Sequence, residues 1–172
     1  KNKAMTTLNI PGSVTLIGAS NIVENTPNVK VQVLYGSTGY TYATRKGINY
    51  ENVGTYYVPE SLLEYVENDT GVTLTKYKGA GGIVILPDTI DGKPITSIGA
   101  YAFIPDGAIN DKTISQLYLP STLKTIEANA CRGMIYMVKV DIPATCESIG
   151  LRAFQACSRM TEVHMSESTA VN

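Results

Sequence analysis

The sequence predicts a mainly β repeat solenoid, built from units of about 23 residues with short strands, tight turns and little helix. Three observations carry that expectation. A short phrase recurs, as "VTLIGASNI" (Val14–Ile22), "PITSIGAYAF" (Pro94–Phe103), "LKTIEANAC" (Leu123–Cys131) and "CESIGLRAF" (Cys146–Phe154). Its landmarks return at a fixed step, Pro120 as Pro143, Ile126 as Ile149 and Ala130 as Ala153, each 23 positions on. Apolar and polar residues alternate just ahead of the phrase, in "LYLP" and "VDIP", which is the period of a half-buried strand. A catalytic motif would normally occur once. A rung that cannot bury both its edges must be stacked on others like it, so the repetition is architectural.

Taken in order, each part of the unit has a physical role. Full copies run Leu8–Lys30, Leu117–Lys139 and Val140–Glu162, and Ile83–Lys112 is a further copy with "DGKPI" inserted early and a looser second half. The proline ends each strand because it cannot donate the next ladder hydrogen bond. "TxIG" returns an isoleucine to the core, and Gly18, Gly99 and Gly150 are expected to permit a positive-φ turn. "AF" and the filler after it supply the opposite wall. Between the copies, Pro59–Asn68 is expected to form a short helix ahead of a hairpin. "KGAGGIV" (Lys78–Val84) lacks the GK[ST] ending of a phosphate loop and leads into a strand, so it reads as a flexible turn before the first rung.

The pattern as a whole resembles the BspA-like leucine-rich repeats, also called the Treponema pallidum type, and "VDIPATCESIGLRAFQACSRMTEVHM" (Val140–Met165) follows that pattern nearly position for position. "YKGAGGIVILPDTIDGKPITSIGAYAF" (Tyr77–Phe103) is similar to the start of such an array. "VLYGSTGYTYATRKGINYENV" (Val33–Val53) is similar to its end, which the resemblance implies is a small tyrosine-rich helix and a final strand. An end therefore precedes a start. The expected organisation is residues 1–55 as the end of one repeat block with its terminal cap, 56–82 as a connector and leading hairpin, and 83–172 as the start of a second block. No closing cap follows Met165, so apolar rungs are expected to be exposed there unless more chain or a partner covers them. The first residue is Lys rather than Met, which reads as a mature or excised piece, and "KNKAMTTLNI" lacks the apolar centre of a signal peptide.

Composition narrows the function. Fourteen basic residues stand against 15 acidic ones with no basic stripe, which argues against nucleic acid as the partner. No apolar run approaches the ~20 residues of a membrane-spanning helix, so no membrane insertion is expected in this segment. Cys131, Cys146 and Cys157 replace apolar core residues in the repeat and read as structural thiols, without a metal-type CxxC pair. His164 is the sole histidine and points outward on a strand. The carboxylates Glu127, Asp141, Glu147 and Glu162 are scattered, with no pair set for acid–base work. "NDT" (Asn68–Thr70) is a glycosylation sequon only in a eukaryotic secretory setting. No catalytic residue, metal site or cofactor is expected.

Eleven tyrosines against two phenylalanines suit half-exposed packing and binding surfaces. Tyr35, Tyr40, Tyr42 and Tyr50 fall in the cap. With Leu117, Leu119, Val140, Ile142, Val163 and Met165 inward, the outward positions form two columns, Tyr118–Asp141–His164 and Gln116–Lys139–Glu162. Those six are the candidate binding residues. The resemblance implies a non-catalytic binding module of a bacterial cell surface or secreted protein, adhering to a host or neighbouring-cell protein or glycan. The rival is a spacer or scaffold within a larger surface protein, and an enzyme is the third class. The sequence names neither the ligand nor the oligomeric state.

Overall fold

The computed structural model describes residues 6–14, 17–18, 29–104 and 113–165. The chain forms two compact units, Lys1–Tyr56 and Tyr57–Asn172.

The first unit holds β1 (Thr7–Asn9), β2 (Lys30–Tyr35), helix α1 (Thr38–Lys46) and β3 (Tyr50–Thr55). The strands form one parallel sheet in the order β1-β2-β3. Thr7 pairs with Lys30 and Leu8 with Val31, the 23-residue step of the repeat. Much of the turn between β1 and β2 lies outside the described residues. Val31 and Val33 point into a small core with Ile10, Val29 and Ala43. Helix α1 starts where Ser37 Oγ accepts the Tyr40 N–H at 3.1 Å, a cap worth about 1 kcal/mol. It stops at Gly47, which takes φ 64° as a left-handed C-cap. A Cβ at Gly39 would stand 2.8 Å from Ile10 Cγ2 and 3.4 Å from Val33 Cγ1, so glycine lets the helix lie close on the core. The rings of Tyr35 and Tyr40 meet edge-on at 4.9 Å, and those of Tyr40 and Tyr50 at 5.6 Å. The tyrosine-rich helix and final strand stand where the sequence placed them.

The second unit contains ten strands among the described residues: β4 (Leu63–Asn68), β5 (Gly71–Tyr77), β6 (Gly82–Ile85), β7 (Thr89–Ile90), β8 (Lys93–Ile98), β9 (Ile114–Tyr118), β10 (Thr125–Ile126), β11 (Lys139–Ile142), β12 (Ser148–Ile149) and β13 (Glu162–Met165). They make two walls. One has the order β6-β9-β11-β13, and the other β4-β5-β8-β10-β12, with β7 beside β8. All pairings are parallel except the hairpins β4/β5 and β7/β8. Between the walls lies a continuous apolar core that includes Phe103, Leu117, Leu123, Ile126, Met137 and Ile142. This is a β-solenoid whose rungs bury one another's edges.

Register shows where the period holds and where it stretches. Gln116 pairs with Lys139 and Lys139 with Glu162, and on the other wall Thr125 pairs with Ser148, all at 23 residues. The first rung is longer, because Ile83 pairs with Gln116 and Ser97 with Thr125. The "DGKPI" insertion accounts for part of the excess by forming the β7/β8 hairpin. Asp91 and Gly92 turn it with φ of 50° and 72°, the two positive values that suit the twist of a tight hairpin. Residues 105–112, the looser half of that copy, lie outside the described residues.

Two local expectations are corrected. Pro59–Asn68 is not a helix: only Glu60–Leu62 makes a single 3₁₀ turn, and Leu63 begins β4. Leu63 is buried and pairs opposite Tyr77, while Tyr65 pairs opposite Leu74. Pairing with β5, itself fully buried at Val72 and Leu74, overrides the local helical pattern. Second, none of Gly18, Gly99 and Gly150 takes a positive φ. The left-handed residues stand two positions after the "IG" or "IE" step: Tyr101, Asn129 and Arg152, at φ 60°, 60° and 58°. The "TxIG" step is instead a ladder. The N–H groups of Gly99, Glu127 and Gly150 donate to the carbonyls of Leu74, Ile98 and Ile126 on the preceding rung, at 2.8, 2.9 and 2.7 Å. Such over-determination holds three non-glycine residues in the left-handed region.

Candidate functional site

The outward face of the β6-β9-β11-β13 wall brings the six candidate residues together. Tyr118 stands opposite Asp141 and Asp141 opposite His164, while Gln116 stands opposite Lys139 and Lys139 opposite Glu162. The intervening Leu117 and Val140 are fully buried, so strand alternation turns these six to the other side. Gln116, Tyr118, Lys139 and Asp141 are half-buried, and Glu162 and His164 are exposed. Neighbouring rungs lie ~4.8 Å apart, close enough for the side chains to interact across them.

They do so as a chain of contacts. The Tyr118 hydroxyl donates to Gln116 Oε1 at 3.1 Å. Lys139 Nζ lies 5.2 Å from the centre of the Tyr118 ring, within cation–π range. Asp141 Oδ2 is 3.9 Å from both Lys139 Nζ and His164 Nδ1, and Glu162 Oε2 is 3.7 Å from His164 Nε2. At such distances and exposures each ion pair contributes little stability. The face offers an aromatic plane, an amide, an ammonium, two carboxylates and an imidazole on a stiff grid. That inventory suits hydrogen-bonding and ionic recognition. Among the described residues, no group of three or more His, Cys, Asp or Glu is disposed to hold a metal ion.

Two features, one on this wall and one in the turns leading into it, are not evident from the sequence. Ile83 and Ile85 pair with Gln116 and Tyr118, so each column begins with an isoleucine. The longer first rung hides that alignment from a 23-residue reading. Tyr136 and Arg159 are one repeat apart, and the Arg159 guanidinium lies 5.4 Å from the Tyr136 ring centre. The repeat step itself was the signal for that pair.

The cysteines act as core atoms to different degrees. Cys131 and Cys157 are buried, and the Cys157 thiol donates to the Cys131 carbonyl at 3.2 Å. Burial pushes the Cys131 thiol far above its ordinary range, and burial also raises Cys157. Cys146 departs from the core assignment: it is half-buried at the core's margin. Its thiol is raised chiefly by burial as well, partly offset by a backbone hydrogen bond from Ser148. Since the thiolate is the reactive form and must be reached, a neutral maleimide is expected to label Cys146 first and Cys131 only on unfolding. Peptide mapping over time checks this, and equal labelling rates at Cys131 and Cys146 would refute it. Asn68 of "NDT" is engaged structurally, its amide donating to Thr73 Oγ1 at 3.0 Å and Thr96 Oγ1 at 3.1 Å.

Among the described residues no helix is long and apolar enough to cross a membrane. Residues 90–171 match the family described as the BspA type leucine rich repeat region, six copies. The crystal structure of the T. pallidum leucine rich repeat protein is similar at 19% identity, over 63% of this chain and 71% of that one, with a TM-score of 0.41. No curated protein matches. With its rungs, register and repeat motif in place, the segment 90–171 is a BspA-type leucine-rich-repeat region.

Proposed function

We propose that the chain is a non-catalytic binding module of a cell-surface or secreted protein, and that it adheres to a protein or glycan of a host or neighbouring cell. The observation that supports this reading is the pair of in-register columns, Tyr118–Asp141–His164 and Gln116–Lys139–Glu162. They hold six varied polar side chains on a rigid sheet, the kind of extended surface that repeat solenoids use for binding. In the organisation we propose, residues 1–55 close one repeat block, 56–82 connect, and 83–172 open a second. Cell-surface or secreted placement accords with the family's usual setting.

A spacer or scaffold role is the second reading. One observation favours it: the columns satisfy one another, with Lys139 between the Tyr118 ring and Asp141, and His164 between Asp141 and Glu162. The test is binding to an array of host matrix proteins and mucin glycans, compared with a variant carrying Tyr118→Ala, Asp141→Ala and His164→Ala, both confirmed folded by circular dichroism. Adhesion through this face predicts saturable binding that weakens more than about tenfold in the variant, a loss of about 1.4 kcal/mol. Binding that survives moves the site elsewhere on the chain. Absence of binding by either protein favours the spacer.

A further inference from the structure

We propose that the stacked turns 128–138 and 151–161, which carry the chain from one wall of the second unit to the other, form a docking surface for an acidic, partly apolar peptide segment of a partner protein. The inference does not rest on the adhesion reading, because it uses a different face and different residues. It starts from charge. These turns hold three of the chain's four arginines, Arg132, Arg152 and Arg159, and no acidic residue, although the whole chain carries a net charge of -1. All three arginines are exposed. Lys30, Lys78, Lys93, Lys124 and Lys139 each lie against a carboxylate. Among the described residues, no carboxylate lies within ion-pair distance of the three arginines.

Backbone bonds hold the two turns in register. The N–H groups of Asn129, Cys131 and Gly133 donate to the carbonyls of Leu151, Ala153 and Gln155 at 3.1, 2.8 and 2.7 Å. Val138 is tied on both sides, its N–H donating to the Ser115 carbonyl at 2.8 Å and its carbonyl accepting the Thr161 N–H at 2.9 Å. The 128–138 turn is therefore an interior rung, and its exposure is not that of a chain end. Even so, Ile135, Tyr136 and Val138 are 37%, 38% and 38% exposed. One repeat on, the same places hold Ser158, Arg159 and Thr161, polar residues that suit an outer turn. The fold thus does not require apolar side chains there. The Arg159 guanidinium, 5.4 Å from the Tyr136 ring centre, places a cation directly beside the apolar strip.

The occupant follows from these two features together. Guanidinium groups without a carboxylate partner present forked donors that match carboxylates, while Ile135 and Val138 offer apolar contact. A sulfated glycan would engage the arginines and leave the apolar side chains in water. A peptide that alternates carboxylates with leucine-sized side chains uses both, and tyrosine and arginine are the residue types that most often anchor protein interfaces.

Fluorescence anisotropy of a short labelled peptide alternating glutamate with leucine tests this on the full chain, with each variant confirmed folded by circular dichroism. Saturable binding is expected, weakened by added salt and weakened about tenfold by Arg132→Ala together with Arg159→Ala. Ile135→Ser together with Val138→Thr copies the next repeat and keeps every arginine. It should weaken the peptide several-fold and leave binding of a heparin oligosaccharide unchanged. A peptide alternating glutamine with leucine should bind far more weakly. The variant carrying Tyr118→Ala, Asp141→Ala and His164→Ala should bind the acidic peptide as the wild type does, which separates this surface from the adhesion face. Absence of saturable binding, equal binding of the neutral peptide, or an affinity unchanged in either turn variant would overturn the proposal. So would loss of binding in the strand-face variant, or heparin binding more tightly than the acidic peptide.

Discussion

Phe103→Ala is expected to cost the Tyr57–Asn172 unit about 3–5 kcal/mol, a large part of the 5–15 kcal/mol that holds a typical domain together. The ring is 2% exposed and sits 5.8 Å from the ring of Tyr77. Its neighbour Ala102 accepts the Tyr77 N–H at 2.7 Å, which ties the rung to β5. Removing the ring leaves a cavity that neighbouring rungs can close only by shifting, and each rung is held by its neighbours. The chain supplies its own control. Phe154 occupies the same place in a later repeat, but it is half-buried and packs at the edge of the core. Phe154→Ala should cost only about 1–2 kcal/mol, the transfer of a partly exposed ring without a closed cavity. Urea unfolding followed by circular dichroism reads both as shifts of midpoint at constant slope. Equal losses in the two variants would mean that burial does not set the difference and that the rungs are stabilised in some other way.

How much of this was legible depends on which interactions are local. The strand wall was readable because one alternation, one proline and one step recur: Val140 and Ile142 point inward as Leu117 and Leu119 do, and the outward columns follow from counting. The candidate face could therefore be laid out by number before its geometry was known. What the sequence hid depends on the neighbouring rung. Leu63–Asn68 has a composition compatible with a helix, and only the presence of β5 makes it a strand. Ile83 and Ile85 belong to the columns, but the long first rung masks their alignment. Cys146 stands at a core position and is only half-buried, because exposure at the margin depends on which rungs lie alongside.

Gly150→Ala is the substitution that tests why the "IG" step carries glycine. The sequence suggests conformational freedom, but the backbone does not use it, since Gly150 has no positive φ. The reason is distance. A Cβ there would lie 2.4 Å from the Ala128 nitrogen, 2.7 Å from the Glu127 carbonyl carbon and 2.9 Å from the Ala128 Cα. All three are backbone atoms of the preceding rung, so no rotamer change can relieve the clash. The rungs would have to separate while the Gly150 N–H is held 2.7 Å from the Ile126 carbonyl. Overpacking of this kind typically costs about 1–3 kcal/mol. The contact at Gly99 is looser, with Leu74 O at 3.0 Å and Thr73 Cγ2 at 3.3 Å, and Gly18 has nothing within 4 Å among the described residues. The expected order of cost for alanine is Gly150, then Gly99, then Gly18, where the effect should be near zero or slightly stabilising through the unfolded chain. Gly150→Asn separates the two explanations. Asparagine tolerates positive φ better than alanine does, so it would recover stability if backbone conformation were the constraint. Under the contact account it should be at least as damaging as alanine, and thermal melts of the two variants side by side decide between them.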